Sequence, residues 1–308
     1  MTVSLVAVDY SRPIQPIFEQ EPSVGTIHSV FRKAVNITHD STILALLSDE
    51  LPRMPNSVRL RSVVTDKLLP NLQPGMKVCV GNDTLAIPSC NFSFHLSDTP
   101  LWEPRPDVTT HQWHRETVVQ HTRLLTQFLA EKQHQGGLAP LIGSLFLEQL
   151  PQETPLSRMA MPKLRLLAQA SWQQNIAGIE EATLGLAGLG PGLTPSGDDV
   201  LGGFAATMAL LSPQLSADSI SRKHIASTIA AVAKPRTTKL SAVLLEFASR
   251  GEVSEQFGTL LLSLNLPTEE FETVQKATDR VLAFGASSGG DILLGMLLGL
   301  RALEGEID

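Results

Sequence analysis

Cysteine is nearly absent: the 308 residues hold two, Cys79 and Cys90. Both lie in apolar or strand-like surroundings ("KVCVG", "PSCNF"). Two such thiols make neither a disulfide framework nor a cysteine zinc site, and they fit a reducing cytosol. An excess of basic charge is missing as well. The net charge is -7 and the sequence pI about 5.6, which argues against a general affinity for nucleic acid or anionic membranes, since both reward a basic face. Long apolar runs are also missing. The longest, near residues 200–211 and 292–300, are too short and too broken by glycine to span a bilayer. The opening "MTVSLVAVDYSRP" lacks the basic start, apolar core and small-residue cleavage site of a signal peptide. A cytoplasmic protein without nucleic-acid or membrane partners is expected. No catalytic cysteine or Ser–His–Asp pattern stands out. "GLGPGL" reads neither as G-x-G-x-x-G after a strand nor as a phosphate loop ending in G-K-[ST].

What is present is a globular composition with 43% hydrophobic residues, enough for a substantial core in one large domain or two ordinary ones. Residues 1–23, with Pro13, Pro16 and Pro22, read as an irregular segment. Residues 24–107 read as a small β-rich, barrel-like domain: "TIHSVFRKAVNI", "STILALL", "SVRLRSVV", "KVCVG", "TLAIP" and "NFSFHLS" are short runs rich in Val, Ile, Leu, Thr and Phe. "GND" at Gly81–Asp83 joins two of them as a hairpin. "SDTPLWEPRPD", from Ser97 to Asp107, reads as a linker. Residues 108–308 read as all-helical. "HQWHRETVVQHTRLLTQFLAEK" has Val118, Leu125 and Phe128 on one side. Further helices are predicted near 161–181, 195–211, 216–233, 238–250, 254–264, 268–283 and 288–304. The expected class is thus α+β, a β-rich domain followed by a helical domain.

Within the helical part, "GLGPGLTPSGDDVLGG" (Gly188–Gly203) packs six glycines, two prolines and two aspartates ahead of an apolar run. Thr194 and Pro195 read as an N-cap and a first-turn proline, or Ser196 and Asp199 as a capping box. A helix start offers unpaired N–H groups and a positive dipole end, and glycines ahead of it permit close approach, so the stretch describes an anion-binding helix start. Carboxylates beside an anion would repel it, unless they hold a cation or anchor N–H groups. The arrangement recurs. "SGDDVLGG" from Ser196 aligns without gaps on "SGGDILLG" from Ser288, pairing Ser196 with Ser288, Gly197 with Gly289, Asp199 with Asp291 and Gly203 with Gly295. The copies lie 92 positions apart by subtraction. They suggest a pseudo-symmetric pair of helix starts converging on one small polar ligand. The plainer alternative is two capped helix starts whose glycines let helices cross closely.

Two other groups are candidates. Arg236 and Lys239, in "KPRTTKLSAV", can clamp a carboxylate or phosphate through paired hydrogen bonds, with Thr237, Thr238 and Ser241 adding hydroxyls. The alternative is an ordinary capped helix start with a solvated basic turn. His111, His114 and His121 offer a metal reading, but no fourth ligand accompanies them.

"GLGPGLTPSGDD", "RTTKLS" (Arg236–Ser241), "ASSGGDILLG" and, more weakly, "HSVFRKAVNI" (His28–Ile37) resemble the AllH family, over roughly residues 24–304. The resemblance implies a subunit of an oxamate carbamoyltransferase of allantoin and purine nitrogen catabolism. The reaction implied is exchange of oxamate and carbamoyl phosphate with oxalurate and phosphate. It also implies a partner resembling the acyl-CoA synthetase FdrA and a further subunit. Relatives often carry His in the second motif, as in "GHTSG" or "GHSSG"; here "FGASSGG" puts Ala286 at that place.

On this basis Asp199, Asp291 and Asp198 are the candidate catalytic residues. Gly190, Gly192, Thr194, Ser196, Gly197, Arg236, Thr237, Thr238, Ser287, Ser288 and Gly289 are candidates for binding a small anionic substrate, carbamoyl phosphate or an oxamate-like acid. No metal site is assigned. No cofactor is certain, and Mg²⁺ is the open candidate. Two readings stand beside a transferase subunit: a non-catalytic assembly subunit, and a small-anion-binding subunit of an FdrA-like synthetase complex.

Overall fold

Asn82 and Asp83 have φ of 47° and 52°, between the paired residues Gly81 and Thr84. Two left-handed residues in a two-residue loop match the right-handed twist of flanking strands, and Asn and Asp tolerate that conformation best after glycine. The hairpin read from "GND" is therefore present. The computed structural model describes residues 3–110, 112–134, 136–150, 154–215 and 219–304. Met1–Pro104 and Arg105–Asp308 form two compact units.

The first unit runs β1 (Val3–Val6), β2 (Asp9–Ser11), α1 (Gln15–Phe18), β3 (Ser23–Val30), β4 (Ala34–His39), β5 (Thr42–Ser48), β6 (Ser57–Leu60), α2 (Ser62–Leu68), β7 (Lys77–Gly81), β8 (Thr84–Ile87), β9 (Phe92–His95) and β10 (Leu101–Trp102). The strands form one ten-stranded, half-barrel sheet in the order β1-β9-β8-β7-β3-β4-β5-β6-β2-β10. Its central strands bury Val35, Ile37, Ile43, Leu44, Val58 and Val78. Asp9 of β2 is paired in register with Arg59 of β6. Its carboxylate accepts from Arg59 Nε at 2.9 Å and Arg53 Nε at 3.1 Å. A buried carboxylate held this way needs its cation, so the pair fixes β2 on β6.

Three expectations differ here. The segment read as irregular over residues 1–23 contributes β1 and β2, since Pro13 and Pro16 fall in short helical turns after β2 and leave both strands free to pair. "SVRLRSVV" is strand only to Leu60 and continues as α2. The stretch read as a linker to Asp107 holds β10, parallel to β2 through Leu101–Tyr10 and Trp102–Ser11.

Among the described residues the second unit has α3 (Arg115–Glu131), α4 (Ile142–Phe146), α5 (Pro155–Trp172), α6 (Ile176–Leu186), α7 (Ser196–Leu215), α8 (Ser219–Ala233), α9 (Lys239–Ser249), α10 (Glu255–Ser263), α11 (Phe271–Leu282) and α12 (Ser288–Glu304). The chain is thus α+β. The single helix predicted near 161–181 is two, because Gln174 takes φ 54° and Asn175 caps α6 by accepting from the Gly178 N–H. No described helix is long and apolar enough to cross a membrane.

At the centre lie α7 and α12. In α7 only Gly202, Pro213 and Gln214 fall short of full burial, so the helix is enclosed by its neighbours rather than presenting one face to solvent. The crossing is made by glycines. A Cβ at Gly203 would overlap the carbonyl oxygen of Ile292, and one at Gly295 would overlap that of Val200. Gly203 matches Gly295 in the sequence repeat, and Val200 matches Ile292. The contact is therefore reciprocal, the signature of a local two-fold relation between the two helices.

Candidate functional site at the paired helix starts

The reciprocity extends to both N-termini. A Cβ at Gly197 would overlap the carbonyl of Leu186 at the end of α6, and one at the equivalent Gly289 that of Val281 near the end of α11. Each glycine lets a helix start press on the end of the helix before it. Their N–H groups are taken too, by the carbonyls of Leu189 at 2.8 Å and Phe284 at 3.0 Å. The N–H groups of Asp198 and Asp199 both reach the Pro195 carbonyl. The start of α7 is therefore less open than a bare helix end. Gly190, at φ 117°, folds the preceding turn back over the Ser196 N–H. Gly192, at φ 99°, is exposed.

The three aspartates do different things. Asp198 is 3% exposed and ties three segments together. It accepts from the Gly188 N–H at 2.9 Å and from the hydroxyls of Thr237 and Ser241. Burial pushes its carboxyl above the usual range, against those hydrogen bonds. Thr238 caps α9 by accepting from the Ser241 N–H, and its own hydroxyl donates to the Leu193 carbonyl at 2.6 Å. The Thr237–Ser241 segment thus holds the glycine-rich turn in place.

Asp199 and Asp291 exchange partners. Asp199 accepts from the hydroxyls of Ser288 and Thr194, and Asp291 from those of Ser196 and Ser287. The Thr194 and Ser288 oxygens are 3.3 Å apart. Each aspartate is thus bonded to the serine of the other motif. Asp291 is fully buried and also accepts the N–H groups of Leu138 at 2.5 Å and Ala139 at 3.1 Å. The turn that supplies them passes so close that a Cβ on Gly137 would lie 2.5 and 2.6 Å from the two carboxyl oxygens. Gly137 has φ 68°, a second reason for glycine there. Burial pushes the Asp199 carboxyl well above the usual range; Ser288 opposes this, and the Asp291 and Asp198 charges add to it. Asp291 is also raised by burial, against the Leu138 and Ala139 amides and the serines.

Beside the α12 start lies a cavity of about 200 Å³ lined by Lys132, His134, Gly136, Ala286, Ser287 and Gly290, among others. His134 Nε2 donates to the Leu129 carbonyl at 2.8 Å, the tautomer a carbonyl partner requires. Lys132 pairs with Asp279 at 2.9 Å. Ala286 therefore shares its cavity with the imidazole of His134, a residue distant in sequence.

Of the predicted site residues, Thr194, Ser196, Asp199, Ser287, Ser288 and Asp291 come together in one cluster. Asp198, Thr237 and Thr238 brace it from outside. The Arg236 carbonyl abuts Gly188, while its side chain is exposed, as is that of Lys239. The Leu138–Ala139 amides, Gly137 and the His134 ring were not predicted. They meet Asp291 and the α12 start across a long separation in sequence, and backbone donors leave no residue-type signature. Of the three histidines, His111 lies outside the described residues and His121 is buried, its Nδ1 2.9 Å from the Leu264 carbonyl. Among the described residues no group of three or more His, Cys, Asp or Glu side chains is placed to hold a metal ion.

Comparison with known families agrees with this architecture. The family model for oxamate carbamoyltransferase subunit AllH matches residues 186–300, which hold both helix starts and the segment that braces them. The model for the AllH family N-terminal domain matches residues 6–101, the sheet. These matches cover most of the chain, and the protein belongs to the AllH family. The family name is that of one subunit of a multi-subunit oxamate carbamoyltransferase. No solved structure matches the chain at a significant level.

Proposed function

We propose that this chain is a working subunit of a carbamoyltransferase that interconverts oxamate plus carbamoyl phosphate and oxalurate plus phosphate, in allantoin nitrogen catabolism in the cytoplasm. Its partners are an FdrA-like subunit and at least one other, and its site for the small anionic substrate is the paired start of α7 and α12. The observation that carries the reading is the reciprocal exchange of Ser288 and Ser196 between Asp199 and Asp291. Bundle packing needs the glycines but not this polar cluster, which buries the carboxyls of Asp199 and Asp291, with that of Asp198 beside it, at a cost in desolvation. Carbamoyl transfer needs hydrogen-bond donors at the developing oxyanion. Thr194, Ser287 and Ser288 are only partly buried; each hydroxyl has one proton, held by Asp199 or Asp291, and serves an oxyanion by turning away from that carboxyl. The exposed Arg236 and Lys239 are available to the phosphate only if a substrate or a partner draws them in.

A second reading has its own support. Gly197, Gly203, Gly289 and Gly295 all serve close packing, as an assembly subunit without chemistry would require.

Thermal unfolding of the purified chain with phosphate, carbamoyl phosphate, oxamate or Mg²⁺ separates the two, because a ligand that binds the native state alone raises its stability. The wild type is compared with Thr194→Val combined with Ser288→Ala. We expect the anions to raise Tm in the wild type and not in the folded variant, and transfer in the reconstituted complex to fall at least tenfold. Equal transfer by both complexes would overturn the reading in favour of assembly.

A further inference from the structure

At the paired helix starts, two buried carboxyl oxygens have no donor: Oδ2 of Asp199 and Oδ2 of Asp291. The residues are 9% and 0% exposed. They hold equivalent places in the repeat, and each accepts from the serine beside the other. An ionised carboxyl oxygen sealed from water without a donor is costly, and two in one cluster call for a common cause. The charges that bear on Asp199 from α7 and α12 are Asp198 and Asp291, both of its own sign. From the α3–α4 connection, Lys132 and His134 line the neighbouring cavity, one paired with Asp279 and the other with the Leu129 carbonyl. At the start of α9, Arg236 and Lys239 are exposed. A cation is no better placed to satisfy both oxygens: Gly137 lies against both Asp291 oxygens, and no third acidic, His or Cys ligand joins the pair in a metal-binding group among the described residues.

We propose that Asp199 and Asp291 share one proton at neutral pH, Asp199 as the carboxylic acid and Asp291 as the carboxylate. The assignment follows from their partners. Asp291 accepts two backbone N–H groups as well as hydroxyls, and such donors favour the ionised form. Asp199 has hydroxyl partners alone. The direction in which burial and the neighbouring charges push Asp199 agrees. Two carboxyls in one low-dielectric site commonly ionise one at a time, and their titration then belongs to the pair.

The shared proton answers a difficulty in the substrate reading, on which this next step rests. Three full negative charges would repel a small oxyanion. With the proton in place Asp199 is neutral, and the charges of Asp198 and Asp291 are spent on the N–H groups of Gly188, Leu138 and Ala139. A neutral Asp199 can itself donate to Thr194 or Ser288, whose single protons at that partly buried edge are then free to turn to a carboxylate or phosphate. Removing the proton at alkaline pH restores the repulsion and weakens the anion.

Difference infrared spectroscopy of the full chain tests this directly. A carbonyl stretch of a protonated carboxylic acid is expected at neutral pH, lost on going alkaline and absent in Asp199→Asn, whose amide copies the neutral acid. That variant should fold with a Tm at neutral pH no lower than the wild type, and any rise in Tm with inorganic phosphate should lose its pH dependence. The proposal is overturned if the wild type shows no acid band at neutral pH, if Asp199→Asn keeps it, or if Mg²⁺ alone raises Tm in the wild type but not in the variant. An acid band without any response to phosphate supports the shared proton and counts against the substrate reading instead.

Discussion

Gly203 of α7 and Gly295 of α12 face each other's helices so closely that neither position has room for a methyl group. The obstacle in each case is a backbone carbonyl, Ile292 for Gly203 and Val200 for Gly295. A carbonyl in a helix cannot turn aside as a flexible side chain can. Gly203→Ala and Gly295→Ala should each destabilise the protein by about 3 kcal/mol or more, the upper end of core overpacking. Gly202→Ala is the control: its nearest neighbour would be 3.9 Å away. There the gain in helix propensity, about 1 kcal/mol, should dominate. Denaturant midpoints for the three variants check the contrast, and equal effects would mean that the crossing is not glycine-mediated.

Asp291→Ala should leave the amides of Leu138 and Ala139 without an acceptor inside the protein. The cost of two unmet buried donors is about 2–6 kcal/mol, less whatever water recovers. Hydrogen exchange gives a sharper reading than overall stability. Exchange at Leu138 and Ala139 should quicken in the variant, while amides in the middle of α7 change far less.

Asp198→Ala should loosen a different place. The Gly188 N–H and the Thr237 hydroxyl lose their common acceptor, which costs about 1–3 kcal/mol. The glycine-rich turn should become more susceptible to limited proteolysis. Thr237→Val removes one of these bonds only and should cost less. If Thr237→Val is the more damaging of the two, Asp198 is not the organising acceptor.

Stability should fall as pH rises from the ordinary aspartate range. The sign follows from proton binding. Burial raises the carboxyls of Asp198, Asp199 and Asp291 in the folded protein. The folded state therefore holds protons that the unfolded chain has already released. Stability is highest below the unfolded value and is lost towards the folded one, at about 1.4 kcal/mol per pH unit for each group titrating differently. Asp199 is raised furthest in direction, so Asp199→Asn should flatten the profile most. A midpoint that rises with pH across this window would contradict the assignment.

Much of the helical unit could be read from its residues. The gapless match of Ser196–Gly203 to Ser288–Gly295 foretold two like helix starts, because glycine at fixed spacing in an apolar run signals close crossing. The hairpin at Asn82 and Asp83 was legible for the same local reason. Contacts made by backbone were not. Nothing in "GGLAP" at residues 136–140 marks it as the cover of a carboxylate far along the chain. Residue type also fails to give direction: Arg236 carries the chemistry of an anion clamp, yet its side chain is exposed and its carbonyl does the packing. The break between α5 and α6 was visible in principle, since Asn175 is a favoured N-cap residue, but the surrounding apolar period concealed it.

The enclosure of α7 has a consequence for biosynthesis. During translation the segment that forms α7 leaves the ribosome well before the one that forms α12, yet its glycine face has no other surface to match. Until Gly295 and Gly299 emerge, Phe204 and Thr207, which they press against and which are fully buried in the finished protein, lack part of their cover. An apolar helix waiting for a late partner is a natural client for chaperones and a starting point for aggregation. Release of α12 then completes the cover of this helix.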